Sequence, residues 1–188
     1  GFRRDNLALS VRFCQSRQEK LAALERLVRE TGKGTILIYC ATRRAVEEVA
    51  EWLGQFHQSV GYYHAGLSDE ERQLVHDDFR RGNVRILAAT NAFGMGIDKS
   101  DVRLVVHFDI PGSVEAYYQE VGRAGRDGRP AACCLLFHER DLATQEYFIQ
   151  QAAQDPEGAD RAERMKTLLQ EMLGYVSVSD CRQLAILE

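Results

Sequence analysis

The sequence predicts an α/β fold, a mainly parallel sheet with helices on both faces followed by a short α-helical tail. Two observations carry this expectation: six apolar runs of strand length rich in β-branched or aromatic residues, and helical patterns of crossover length between most of them. A third is that 45% of the 188 residues are hydrophobic, enough to bury a sizeable core.

The predicted strands are Leu7 to Phe13, Thr35 to Ala41, Val60 to Tyr63, Val84 to Ala89, Val102 to Phe108 and Ala131 to Phe137. Ala45, Val46, Val49, Ala50 and Leu53 recur at helical spacing with Glu47, Glu48 and Glu51 on the other side, which marks an amphipathic crossover helix. Ser68-Asp69-Glu70-Glu71 is a capping-box pattern opening a helix through Leu74, Val75 and Phe79, and Gly82-Asn83 stops it. Pro111-Gly112-Ser113 ends one strand and caps a helix carrying Tyr117, Tyr118 and Val121. After Asp155-Pro156-Glu157-Gly158 the pattern becomes helix alone, with Met165, Leu168, Leu169, Met172 and Leu173 on one stripe. The expected division is therefore a first domain over residues 1–155 and the start of a second, helical module over 156–188. The last ten residues read as a capped helix without a stop signal, as if the chain were cut.

Composition narrows the function classes. The 24 Lys+Arg against 28 Asp+Glu give a net charge of -4, without the basic excess usual in nucleic-acid binders. The average hides an uneven distribution: residues 1–34 hold eight basic against four acidic, residues 139–188 five against ten. No apolar run approaches the roughly 18 residues that span a bilayer, and no signal-peptide pattern opens the chain. Of the five cysteines, Cys40, Cys133 and Cys134 lie inside apolar runs, where a reduced thiol acts as a small hydrophobe, and no C-x-x-C pair suggests a disulfide framework.

In a parallel sheet the ligand site lies outside the carboxyl ends of the strands, so the informative segments follow strands. In Gln119-Glu120-Val121-Gly122-Arg123-Ala124-Gly125-Arg126-Asp127-Gly128-Arg129, glycines let the backbone approach closely beside guanidinium groups, a combination suited to an anion such as phosphate. Alone, the stretch also fits a glycine-rich surface turn with solvated arginines. Thr90 to Asp98 follows a buried strand; Gly94 and Gly96 permit a tight turn, Thr90 offers a hydroxyl, and Asp98 offers an acceptor for a sugar hydroxyl, although a plain turn has the same look. Thr42 and the amides of the following helix can meet a phosphate, while Arg43 and Arg44 also fit solvated helix-start residues. His64-Ala65-Gly66-Leu67 is one more strand-end turn, and a single His there is more often structural than catalytic.

Together these segments resemble the second RecA-like lobe of superfamily 2 helicases, specifically the RecQ family of ATP-dependent DNA helicases. The resemblance covers almost the whole chain: residues 2–7 resemble the interlobe linker, 36–53 motif IV, 63–67 the adjacent DNA-contacting segment, 86–111 motif V and 117–130 motif VI. Gln119 and the Arg-Ala-Gly-Arg-Asp-Gly ending separate the chain from DEAD-box RNA helicases. Asp5 departs from the proline common in the RecQ linker.

The resemblance implies a RecA-like lobe of the P-loop NTPase type in a 3′ to 5′ DNA helicase, of a family acting in DNA repair and recombination. Arg126 would be the arginine finger reaching the γ-phosphate of ATP, with Arg123 beside it and Gln119 coupling the site to DNA. Gly96 and Asp98 would lie near the nucleotide, and Thr42, Arg43, His64, Ala65, Gly66 and Thr90 along the backbone of single-stranded DNA. ATP and Mg²⁺ would be bound mainly by the N-terminal RecA-like lobe of the same parent protein, since this sequence has neither G-x-x-x-x-G-K-[S/T] nor Asp-Glu-x-His. The fragment alone is thus expected to be inactive. Cys181-Arg182-Gln183-Leu184-Ala185-Ile186-Leu187 resembles the helix bearing the first ligand of a four-cysteine zinc site, so Cys181 would bind Zn²⁺ only with ligands beyond this chain, or be an ordinary buried thiol. The expected partners are single-stranded and partly duplex DNA and no membrane, and the expected location is cytoplasmic in a bacterium or nuclear in a eukaryote. Two alternatives stay open: a lobe of an RNA helicase of the same superfamily, or a nucleic-acid-binding module without motor activity.

Overall fold

The computed structural model describes residues 4–94, 97–178 and 182–183. Six strands form one sheet: β1 Leu7–Phe13, β2 Thr35–Tyr39, β3 Val60–Tyr63, β4 Ile86–Ala89, β5 Val102–His107 and β6 Ala131–Phe137. Their order is β1-β6-β5-β2-β4-β3 and every ladder is parallel. The helices are α1 Arg17–Thr31, α2 Arg43–Gly54, α3 Asp69–Arg81, α4 Val114–Val121, α5 Leu142–Gln154 and α6 Ala159–Val176.

Side chains alternate across the pleat, so each inner strand buries both faces. Ile36, Ile38, Ile86, Ala88, Leu104 and Val106 meet Leu24 and Val28 of α1 and Val46, Val49 and Leu53 of α2. Leu37, Tyr39, Leu87, Ala89 and Val105 face the opposite layer, built on Phe79 of α3, Tyr117 and Val121 of α4 and Ile149 of α5. Leu169, Met172, Tyr175 and Val176 of α6 join this second layer, so the helix beyond the expected boundary at residue 155 packs onto the same core.

The caps predicted at Ser68 and Ser113 form, and Thr42 adds one that was not predicted. Ser68 Oγ accepts from Glu71 N–H at 3.2 Å and Glu71 Oε2 accepts from Ser68 N–H at 2.8 Å. Thr42 and Ser113 cap α2 and α4 by accepting from Ala45 N–H and Ala116 N–H, each at 3.1 Å. β2 ends two residues earlier than expected: Cys40 N–H still reaches Ala89 O at 2.9 Å, but Ala41 N–H turns to Asp109 Oδ2 at 2.8 Å. The described cysteines, Cys14, Cys40, Cys133 and Cys134, are free and buried. Burial pushes the Cys133 thiol up to about 12, which keeps it protonated and unreactive.

Candidate functional site

The topology divides the predicted site residues into two groups. Because all six strands run the same way, the turns after β2, β3 and β4 emerge at one edge of the sheet, and these carry Thr42 and Arg43, His64 to Gly66, and Thr90. The β4–β5 connection has no helix among its described residues, and it must descend from the carboxyl edge at Ala89 to the amino edge at Val102. It carries Asp98 down with it. The turn after α4 descends the same way: Gly125 N–H donates to Val102 O at 2.9 Å, which fixes Arg126 beside the start of β5. Asp98 and Arg126 therefore lie away from the carboxyl ends where a parallel sheet ordinarily binds its ligand.

In the lower group, Arg126 Nη1 donates to Ile97 O at 2.9 Å and lies 3.9 Å from Asp98 Oδ1. The Arg126 side chain keeps 37% of its exposure and Asp98 96%, so the guanidinium is aimed but open to a ligand. Gly125 has φ +56°, and a Cβ there would come within 2.5 Å of Asn6 Nδ2 and 2.8 Å of Arg129 O, so no other residue fits. The turn is held from the segment leading into β1: Arg4 Nη2 donates to Ala124 O at 3.0 Å and Gly125 O at 2.8 Å, and Asn6 Nδ2 to Gly125 O at 2.8 Å and Arg129 O at 2.9 Å. Asp127 accepts from Arg103 Nη2 at 2.6 Å, and that contact holds its carboxyl below the usual range. Arg123 sits higher and is partly buried; its Nη2 is against Gly94, where a Cβ would approach to 3.2 Å. Gln119 is exposed on α4.

In the upper group, His64 is buried and Arg43 exposed. Gly66 N–H donates to His64 Nδ1 at 3.0 Å, so the ring proton sits on Nε2, which donates to Glu47 Oε1 at 2.7 Å. A Cβ on Gly66 would lie 3.0 Å from the His64 ring and 3.1 Å from Arg43 Nη1. His64, Gly66 and Arg43 thus converge at the N-terminus of α2, where unpaired amides and a cation favour a phosphate. Thr90 is buried, with its N–H on Tyr63 O at 3.2 Å. Ala65 lies exposed in the same turn as Gly66.

Sequence reasoning gave no site role to Asp109, Lys20, Glu47, Arg4, Asn6 or Tyr39. Asp109 accepts from Ala41 N–H and from Lys20 Nζ at 3.3 Å, while Lys20 Nζ also reaches Asp141 Oδ2 at 2.7 Å and lies 4.2 Å above the Phe108 ring. This fully buried ammonium fixes the turn that presents Thr42 and Arg43. Asp109 lies two residues past the end of β5, in a strand-end turn, a position that could have signalled it. A cleft of about 640 Å³ opens between the ends of β2 and β5 and α4, α5 and α6, walled by Tyr39, His107, Asp109, Glu120, Gln145 and Arg161. Neither Arg123 nor Arg126 lines it.

Among the described residues no group of three or more His, Cys, Asp or Glu side chains could hold a metal ion. Gly96 and Cys181, with the zinc expectation attached to the latter, lie outside the described residues. No helix among the described residues is long and apolar enough to cross a membrane.

Residues 19–128 match the helicase conserved C-terminal domain. The ATP-dependent DNA helicase RecQ of Bacillus subtilis is 36% identical over 187 residues, covering 100% of this chain and 30% of its own length. A putative ATP-dependent RNA helicase of Acanthamoeba polyphaga mimivirus is 35% identical over 188 residues, covering 100% of this chain and 33% of its own. The structure of Saccharomyces cerevisiae Dbp5 bound to RNA and ADP BeF3 aligns with a TM-score of 0.63 at 26% identity, over 86% of this chain and 44% of that one. The chain spans about a third of the length of these curated relatives. The RecQ likeness read from motifs V and VI and the RecA-like lobe are both borne out. The chain belongs to the helicase conserved C-terminal domain family.

Proposed function

We propose that the chain is the second motor lobe of an ATP-dependent 3′ to 5′ DNA helicase of the RecQ family. The observation that supports this most is Arg126, a half-open guanidinium fixed on Ile97 O beside exposed Asp98 and separated from the turns that bear Thr42, Arg43 and Gly66. One face would then serve ATP held by an N-terminal lobe and one edge would serve the strand. Arg126 neutralises charge developing on the transferred phosphoryl group, an effect typically worth about 10³ to 10⁵ in rate. Arg123 adds charge, Asp98 and Gly96 lie near the nucleotide, and Gln119 couples hydrolysis to DNA. Mg²⁺ accompanies ATP on the other lobe. His64, Ala65, Gly66, Thr42, Arg43 and Thr90 follow the sugar-phosphate backbone, which suits movement on any sequence. Residues 156–188 open a zinc-binding module in which Cys181 is one ligand.

In the full-length protein, Arg126→Ala is expected to lower DNA-stimulated ATP hydrolysis by about 10³, with ATP and single-stranded DNA affinities within a few-fold of wild type. The chain alone is expected to hydrolyse no ATP. Normal turnover by the variant sinks the finger assignment. The RNA helicase reading has its own support, the RNA-bound Dbp5 neighbour and the mimivirus relative's name. Hydrolysis stimulated by RNA and not by single-stranded DNA would decide for it.

A further inference from the structure

Arg126 leaves the chain from a turn whose shape is set by side chains far away in sequence. The Gly125 carbonyl belongs to the peptide plane that carries the Arg126 N–H, so turning that C=O turns the N–Cα bond of Arg126 with it. Arg4 Nη2 and Asn6 Nδ2, each at 2.8 Å, and Gly128 N–H at 3.0 Å all donate to this oxygen. Asn6 does more than satisfy it. The same Nδ2 donates to Arg129 O at 2.9 Å, which fixes the separation of the two carbonyls that flank Arg126 in the turn. Asn6 Oδ1 accepts from Arg4 Nε at 3.3 Å, so the amide also aims the guanidinium that holds Ala124 O at 3.0 Å. Asn6 is itself immobilised. Leu7 N–H closes the turn before β1 on Arg4 O at 3.0 Å, and Asn6 O accepts from Ala131 N–H at 2.9 Å where the β1–β6 ladder begins. Gln183 Nε2 clamps the same segment, donating to Arg4 O at 2.9 Å and Leu7 O at 2.8 Å. A separate anchor, Arg103, holds the later part of the Arg126 turn through Asp127 Oδ1 at 2.6 Å and Pro130 O at 3.1 Å.

We infer that Asn6 is a positioning residue for Arg126: its carboxamide, bonded at once to Gly125 O, Arg129 O and Arg4, sets the turn from which the guanidinium is presented to ATP. This rests on the reading that Arg126 is the arginine finger. The anchors divide the work. Arg103 and the Gly125 N–H on Val102 O tie the turn to β5, so the fold survives the loss of Asn6. The orientation of the 125–126 peptide does not survive it, because Arg4 loses its guide at the same moment. A displacement of about 1 Å at a group that meets the transition state can cost about 10²-fold in rate. Asn6→Ala removes the amide. Asn6→Asp keeps its shape but replaces the donor with an acceptor facing two carbonyl oxygens.

The test uses the full-length protein and compares Asn6→Ala, Asn6→Asp, Arg126→Ala and the double variant of Asn6→Ala with Arg126→Ala. Measured are DNA-stimulated ATP hydrolysis, the KM for ATP, the Kd for single-stranded DNA and Tm. Both Asn6 variants are expected to lower kcat about ten-fold or more, with KM and Kd changed less than about two-fold and Tm by no more than a few degrees. The double variant is expected to be no slower than Arg126→Ala, since a positioning residue has nothing left to position. Wild-type kcat in either Asn6 variant overturns the proposal, as does a double variant equal to the product of the singles. A loss of kcat that comes with a collapse in Tm or in DNA affinity marks a structural contact and overturns it too. Wild-type turnover in Arg126→Ala removes the finger assignment and the proposal with it, whereas failure of the Asn6 predictions alone leaves that assignment standing.

Discussion

Lys20 shows how much one side chain can decide. It is fully buried on α1, a place where an ammonium is stable only because Asp109, Asp141 and the Phe108 ring surround it. Burial raises the Asp141 pKa above its ordinary value even though Lys20 pulls it down. Lys20→Met keeps the stem and leaves two buried carboxylates facing each other, an expected loss of about 3–5 kcal/mol. The sign with pH follows. Without the ammonium, the folded-state pKa of Asp141 moves further above the unfolded value of about 3.8, so the variant loses stability as pH rises. Urea titrations at pH 4 and pH 7 are expected to show the larger deficit at pH 7. An equal deficit at both would mean that packing, not charge, is what Lys20 supplies.

At the scale of elements, the helices differ in how plainly they announce themselves. α2 has an unbroken apolar stripe and a Thr42 cap, and α3 opens on a complete capping box. α1 and α5 place Lys20 and Gln145 on their buried faces. Each polar group has a tertiary partner, Gln145 Nε2 donating to Ile110 O at 2.9 Å, and each interrupts the hydrophobic period that sequence reading depends on. α3 is the opposite case, with Phe79 its one fully buried residue, so its start rests on local chemistry. Ser68→Ala is expected to cost about 1 kcal/mol of stability, read as a lower urea midpoint at unchanged slope. A neutral result would mean that the sheet, not the cap, fixes where α3 begins.

For the whole molecule, the central question is where the lobe ends. Tyr175 on α6 packs tilted against Tyr117 at 5.0 Å with the hydroxyls 3.3 Å apart, and Tyr117 lies against His107 at 4.9 Å, which stacks on Tyr39. An aromatic column thus runs from α6 to the end of β2. Met172 is fully buried in the same layer, and Met172→Ala is expected to cost about 2–5 kcal/mol. If α6 is thermodynamically part of the lobe, the variant moves a single cooperative transition seen equally by far-UV and near-UV signals. An early, separate transition would support an independent module beginning near residue 156.

The sequence by itself determined the six strands, the parallel sheet, the caps of α3 and α4, and the residue types suited to phosphate. These depend on period, cap chemistry and glycine spacing, all local in the chain. Only the tertiary structure separated Asp98 and Arg126 from Thr42, Arg43 and Gly66, because a connection between parallel strands must cross the sheet before the next strand can start. Only the tertiary structure placed α6 on the core, since its stripe has no address until Tyr117 and Val121 supply a surface. The roles of Lys20 and Asp109 lay equally out of reach. A lysine in a polar helix reads as surface until partners 89 residues away, as Asp109 is from Lys20, are brought within hydrogen-bonding distance.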